Sequence, residues 1–210
     1  MAKLGKDFFV RDTVEVAKDL LGRYLVRNVN GENVVCRITE TEAYVGAIDK
    51  ACHAYGGRIT PRTRTLYASP GTTYVYLIYG MYHCLNFVTE PEGIAAAVLI
   101  RGCTPVYNTD LISRMRFGIP ESKMSAYQRK NFMNGPGKLC KGLSVDSTCN
   151  GTSVESNELY VCDELPELGL PRRSEEFHFE IGKRIGIDYA EEAVDFPWRF
   201  WIRRTDYADI

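Results

Sequence analysis

Apolar positions in this chain fall mostly into short strand-like runs divided by turn residues, with a few helical stretches between them. Asp12 caps a helix that runs to Gly22. Glu15 stands three residues on, Val14, Ala17, Leu20 and Leu21 form its apolar stripe, and Gly22 ends it. Strands are expected over Arg23–Asn28 and Val34–Tyr44, around an Asn30-Gly31 turn. Thr73–Asn86 carries two more on either side of Gly80-Met81, and Ala95–Arg101 another. A helix is expected over Asn108–Phe117, then a polar stretch from Gly118 to Asn131 of loop or short helix. Asn134-Gly-Pro-Gly supplies cap and N-terminal proline signals for a helix to Leu143. Leu159–Cys162, Phe177–Ile181 and Arg199–Arg203 read as late strands. The sum is a mixed α/β (α+β) fold, a single domain over residues 1–210, with a curved, mainly antiparallel sheet and flanking helices. The regular βαβ alternation of nucleotide-binding folds is missing, and no glycine-rich phosphate loop follows a strand.

The Thr73–Asn86 segment is the most informative. Gly80 at the first central position of a two-residue loop predicts a type II′ turn, with Tyr79 and Tyr82 at the corners and Met81 between them. Three large apolar groups at the tip of a protruding hairpin suit insertion into something, as minor-groove proteins insert apolar wedges between base steps. The alternative is that the tyrosines cap the sheet or pack under a neighbouring loop. Upstream, Gly56-Gly57 and Pro61 mark an irregular loop bearing Arg58, Arg62 and Arg64, a set suited to phosphate contacts beside such a wedge. A helix start near Pro136 would aim free N–H groups at a phosphate with Lys138 close by, or would simply be a well-capped helix.

Composition changes the picture in three ways. With 210 residues, 45% of them hydrophobic, there is chain enough for one well-buried core. The apolar runs are too short to span a bilayer, and the N-terminus lacks the long apolar core of a secretory signal. Seven cysteines without a Cys-x-x-Cys pair point to reduced thiols inside a cell. His53, His83 and His178 have no ligand spacing, so no structural or catalytic metal is expected. Net charge is only −1, yet it is unevenly spread. Residues 101–145 hold eight bases against Asp110 and Glu121, and residues 151–195 hold twelve acids against four bases. A basic middle folded toward the hairpin would give a positive face on a neutral protein.

TETEAY (residues 39–44), HAYGGRITPRTR (53–64), YVYLIYGMYHCLN (74–86), VLIR (98–101) and NGPGKLCKGL (134–143) occur in that order, followed by Lys183–Ile187 and Pro197–Ile202. This ordered set resembles the alkyladenine (3-methyladenine) DNA glycosylase family over nearly the whole chain. The resemblance implies a monofunctional hydrolase that swings alkylated or deaminated purines out of duplex DNA and starts base excision repair. Its partner is damaged duplex DNA, bound as a monomer without membrane or cofactor. Its setting is intracellular, a bacterial cytoplasm or a eukaryotic nucleus.

By the same resemblance, Glu42 is the general base, Arg101 stands beside the attacking water, and the backbone carbonyl of Ile185 is a further contact. Tyr44 covers one face of the extruded base and His53 and Tyr76 the other, while Asn86 crowds the 2-amino group of guanine. Tyr79 fills the place that the base vacates. The chemistry fits these residue types. Breaking the bond at C1′ builds oxocarbenium character on the sugar, which a carboxylate stabilises while it activates water. Glu40 shares a strand face with Glu42 and competes for that role. Without the resemblance, the Thr-Glu-Thr-Glu run reads as a solvent-facing strand edge.

Overall fold

The computed structural model describes residues 3–174 and 177–203. Two short helices, α1 (Lys6–Phe9) and α2 (Thr13–Asp19), precede the hairpin of β1 (Tyr24–Val29) and β2 (Glu32–Tyr44). A second hairpin, β3 (Thr73–Ile78) and β4 (Tyr82–Val88), leads to β5 (Ala97–Tyr107). Then come α3 (Thr109–Phe117), α4 (Ala126–Lys130) and α5 (Pro136–Gly142), followed by β6 (Leu159–Cys162), β7 (Glu180–Gly182) and β8 (Arg199–Trp201). The strands form one curled antiparallel sheet in the order β3-β4-β5-β2-β1-β6, with β8 also on β2 and β7 on β8.

Local signals explain most of these elements. The Asp12 carboxylate accepts the N–H groups of Val14 and Glu15, the cap that starts α2. Asn30 and Gly31 both take positive φ, which the tight β1–β2 turn requires. Pro136 opens α5 at its first turn, although Asn134 does not cap it. The Asn134 side chain holds Lys138 and the Lys130 carbonyl instead.

The central strand decides where the chemistry sits. β2 has β5 along one edge and β1 then β8 along the other, and from Val34 to Tyr44 its side chains on both faces are buried or nearly so. Thr41 faces α2, with its hydroxyl on the Ala17 carbonyl at 2.7 Å. Glu40, Glu42 and Tyr44 alternate onto the opposite face. The Thr-Glu-Thr-Glu run is therefore no solvent-facing edge, because strands pair with both of its sides. β5 runs on to Tyr107, past the expected end at Arg101, and its second half pairs with Val35–Arg37 of β2.

The tip of the second hairpin differs from the expected type II′ loop. Ile78 pairs with Tyr82, so three residues form the tip, and the Met81 N–H donates to the Ile78 carbonyl at 3.3 Å. The central residues are Tyr79 and Gly80, at φ +53° and +68°, the signs that a type I′ turn demands. Tyr82 supplies the reason. It packs on the start of α5, where a Cβ on Gly137 would lie 2.8 Å from the Tyr82 Cβ. Seating that ring fixes the register of β4, and the turn follows from the register.

Candidate active site

Strand register alone assembles the floor of a cleft. Tyr74 pairs with Asn86, Asn86 with Leu99, Leu99 with Glu42 and Glu42 with Arg199. Directly paired residues point to the same face, so these five make one row across the sheet, of which Tyr74, Asn86, Leu99 and Glu42 line the cleft. The cleft above it holds about 790 Å³. Tyr44, His53, Tyr76, Arg101 and Ile185 line it together with Glu42 and Asn86, and Tyr79, Tyr82 and Lys138 stand along its rim.

Glu42 has no exposed surface. Its Oε1 accepts the Ile185 N–H at 2.9 Å and its Oε2 accepts the Tyr44 hydroxyl at 2.8 Å. Arg101 Nε lies 3.5 Å from Glu42 and 3.0 Å from Glu40, so one guanidinium spans both carboxylates. Glu40 also meets Arg199 at 3.4 Å and is partly exposed, unlike Glu42. Burial pushes the Glu40 pKa upward, partly opposed by Arg101 and Arg199. Burial, with Glu42 beside it, likewise holds the Tyr44 phenol well above its ordinary value, which keeps the hydroxyl a donor.

The aromatic wall is hydrogen-bonded in a chain. His53 Nδ1 lies 2.9 Å from the Tyr74 hydroxyl, and an Arg62 amino group lies 3.2 Å from His53 Nε2. A guanidinium offers only donors, so Nε2 accepts and Nδ1 carries the proton. Burial first, then Arg62, lowers the His53 pKa to about 4, leaving a neutral ring at physiological pH. His53 meets Tyr76 edge-on with centroids 4.6 Å apart. The Asn86 amide donates to the Tyr74 carbonyl at 2.9 Å.

The candidate DNA contacts separate into two groups. Tyr79 is 80% exposed and Met81 68%, whereas Tyr82 is half covered by α5. Arg58 and Arg64 are exposed and pair with no carboxylate among the described residues. Arg62 is exposed as well, and its guanidinium lies over the Tyr76 ring at 5.1 Å. Short 3₁₀ turns at Tyr55–Gly57 and Arg64–Tyr67 organise this loop. From the basic middle, Arg101, Arg116 and Lys138 line the cleft, and Arg129 and Lys130 line an adjoining groove. Lys138 is held by the Asn131 and Asn134 side-chain oxygens at 2.9 and 3.0 Å, and burial, then Arg116, lowers its pKa.

Methylpurine-DNA glycosylase (MPG) is the family whose model matches residues 7–206. The chain belongs to that family. It is thus an enzyme of DNA repair, a DNA glycosylase. A Clostridium perfringens (strain SM101 / Type A) protein named "Putative 3-methyladenine DNA glycosylase" is 53% identical over 98% of both chains. Bearers of the same name from Alkaliphilus oremlandii and Desulfitobacterium hafniense are 47% and 43% identical, over 98% and 100% of each chain. No helix among the described residues of this glycosylase is long and apolar enough to cross a membrane.

Sequence reasoning overlooked several cleft residues. Tyr74 lies two positions before Tyr76 on the same strand face, so strand periodicity could have found it. Arg116 and Tyr189 also line the cleft, and no motif announced them, whereas Ile187 ends the Lys183–Ile187 segment that the motif order includes. Asp49 and Arg184 form a buried pair behind Tyr44 whose partnership only the fold reveals.

Proposed function

We propose that this glycosylase hydrolyses the N-glycosidic bond of alkylated or deaminated purines, 3-methyladenine foremost, after swinging them out of duplex DNA. One observation carries the reading: a carboxylate without exposed surface lies on the floor of an aromatic cleft whose rim bears an exposed hairpin tip. Tyr79 at that tip fills the gap in the stack, and the extruded base lies against Tyr44 with His53 and Tyr76 opposite. Asn86, on the cleft floor, crowds a guanine 2-amino group. Arg58, Arg62, Arg64, Met81, Tyr82 and Lys138 contact the duplex around the opening.

In the chemical step, Glu42 takes a proton from a water whose oxygen bonds to C1′. The C1′–N bond breaks, and its electron pair leaves with the base. The carboxylate also stabilises positive charge developing on the sugar, while Arg101 and the Ile185 carbonyl hold the water. A base methylated at N3 or N7 is already cationic and departs neutral. Hypoxanthine would need a proton to leave as a neutral base. Lys138, the lysine that lines the cleft, is held by Asn131 and Asn134 and takes no nucleophilic part, so the products are free base and an abasic site. The protein works as a monomer, one domain over residues 1–210, without cofactor, inside the cell with DNA.

The test is release of 3-methyladenine from methylated duplex DNA, with methylated RNA and the free nucleoside alongside. Release from the duplex alone is expected. Equal release from nucleoside, or none from DNA, would overturn the reading.

A further inference from the structure

Behind the cleft wall, Arg184 and Asp49 form an ion pair with both side chains wholly buried. The Arg184 amino groups donate to Asp49 Oδ2 at 2.5 Å and Oδ1 at 2.8 Å, and to the carbonyls of Ala43 and Ala193 at 2.9 and 3.2 Å. Asp49 also accepts the N–H groups of Val45 and Ala51. The guanidinium stacks between two rings, its carbon 4.7 Å from the Tyr44 centroid and 5.1 Å from that of Trp198. One face of Tyr44 is thereby occupied by a cation. A base in the cleft can use only the other.

This arrangement poses an electrostatic problem for a binder of cationic bases. A base stacked on the free face of Tyr44 would sit roughly 8 Å from the Arg184 charge, counting a ring contact of about 3.5 Å. Two like charges at that separation would lower affinity roughly thirtyfold at the dielectric suited to partly buried sites. Asp49, in bidentate contact with the same guanidinium, cancels most of that field. The free face of Tyr44 then keeps its attraction for positive charge.

We propose that the Arg184–Asp49 pair is a specificity determinant: Arg184 props Tyr44 from behind, and Asp49 neutralises it so that the cleft accepts cationic purines beside neutral ones. The inference rests on the proposed stacking of the base against Tyr44. Arg184 is also a positioning residue. It ties down Ala43, between Glu42 and Tyr44, and precedes Ile185, whose N–H meets Glu42.

The two halves of the pair give opposite signs, which a purely structural role would not. The probes are duplexes carrying 2′-fluoro-7-methyldeoxyguanosine (cationic) or 2′-fluorodeoxyinosine (neutral), in which fluorine keeps the glycosidic bond intact, with unmodified duplex as baseline. Asp49→Asn is expected to lower the cationic-to-neutral affinity ratio about tenfold, and Arg184→Gln to raise it by a similar factor. The double variant loses both charges together, a change that buried pairs often tolerate, and should return to the wild-type ratio. If one single variant does not fold, the sign of the other decides. Ratios unmoved in the singles, moved in the same direction, or a double variant that follows either single would overturn the pairing. Wild-type protein that prefers neither modified duplex over plain DNA would instead refute base stacking on Tyr44.

Discussion

Tyr79 is a large residue in a backbone conformation that suits glycine, and its ring touches little. At φ +53° the left-handed geometry costs roughly 1–2 kcal/mol for a side chain with a Cβ. With 80% of the residue exposed, packing returns almost none of this to the free protein. Tyr79→Gly should relieve the strain, less about 0.5–1 kcal/mol for the looser unfolded chain. The net is a gain of up to about 1.5 kcal/mol, seen as a rise in Tm of up to about 6 °C for a domain of this size. Tyr79→Ala keeps the Cβ and the strain, so its Tm should stay within about 1–2 °C of the wild type. On DNA the two variants should behave alike. Losing one stacked ring is worth about 1–3 kcal/mol, a roughly fivefold to 150-fold weaker capture of the flipped state. Single-turnover excision from a duplex reads this, with a single-stranded oligonucleotide as control, where no stack needs filling. Duplex rates equal to wild type in Tyr79→Ala would remove the wedge. A lower Tm in Tyr79→Gly would show that the ring stabilises the free protein, and the strain argument would fail.

Arg58→Ala and Arg64→Ala should each flatten the slope of log K against log salt for duplex binding by about 0.9, because each frees one phosphate contact; an unchanged slope in titrations of both variants would place the loop away from DNA. His53, with a pKa lowered to about 4, binds its proton less readily folded than unfolded, so stability should fall as pH drops from about 6.5 toward 4 and level off below. An NMR titration should place the ring proton's inflection near 4, and an inflection in the mid-sixes would contradict the Arg62–His53–Tyr74 chain. Gly46 has φ +51°, and a Cβ there would lie 2.2 Å from the Ala95 carbonyl oxygen. Gly46→Ala should therefore cost about 3 kcal/mol or more in urea unfolding, and a loss under about 1 kcal/mol would show that the loop yields.

Much of the fold was legible because its signals are local. The Asp12 cap, the Asn30-Gly31 turn and the alternating run of β2 each act within a few residues. The wedge turn was misread because its register depends on Tyr82 meeting Gly137, a contact between segments far apart in sequence. The same holds for the site. The motif order named Glu42, Tyr44, His53, Tyr76, Asn86 and Arg101; strand pairing gathers five of them over one sheet face, and the loop after β2 brings His53 to it. Motifs could not tell that Arg62, exposed like Arg58 and Arg64, also reaches His53 and Tyr76, since all three are arginines of one irregular loop. They could not separate Glu40 from Glu42 either. The difference is placement: Glu42 is buried on the cleft floor, held by Tyr44 and Ile185, whereas Glu40 lines the adjoining groove and meets Arg199.

The central claim is that Glu42 performs the chemistry, and Glu42→Gln tests it with little disturbance. The amide oxygen can still accept the Ile185 N–H, and the Tyr44 hydroxyl can turn to accept from the amide nitrogen. Excision of 3-methyladenine and affinity for a lesion-bearing duplex should be measured on the same preparation. Excision should fall by at least about a thousandfold while affinity stays within roughly threefold of wild type. A variant that excises at the wild-type rate would contradict the assignment of Glu42 as the base.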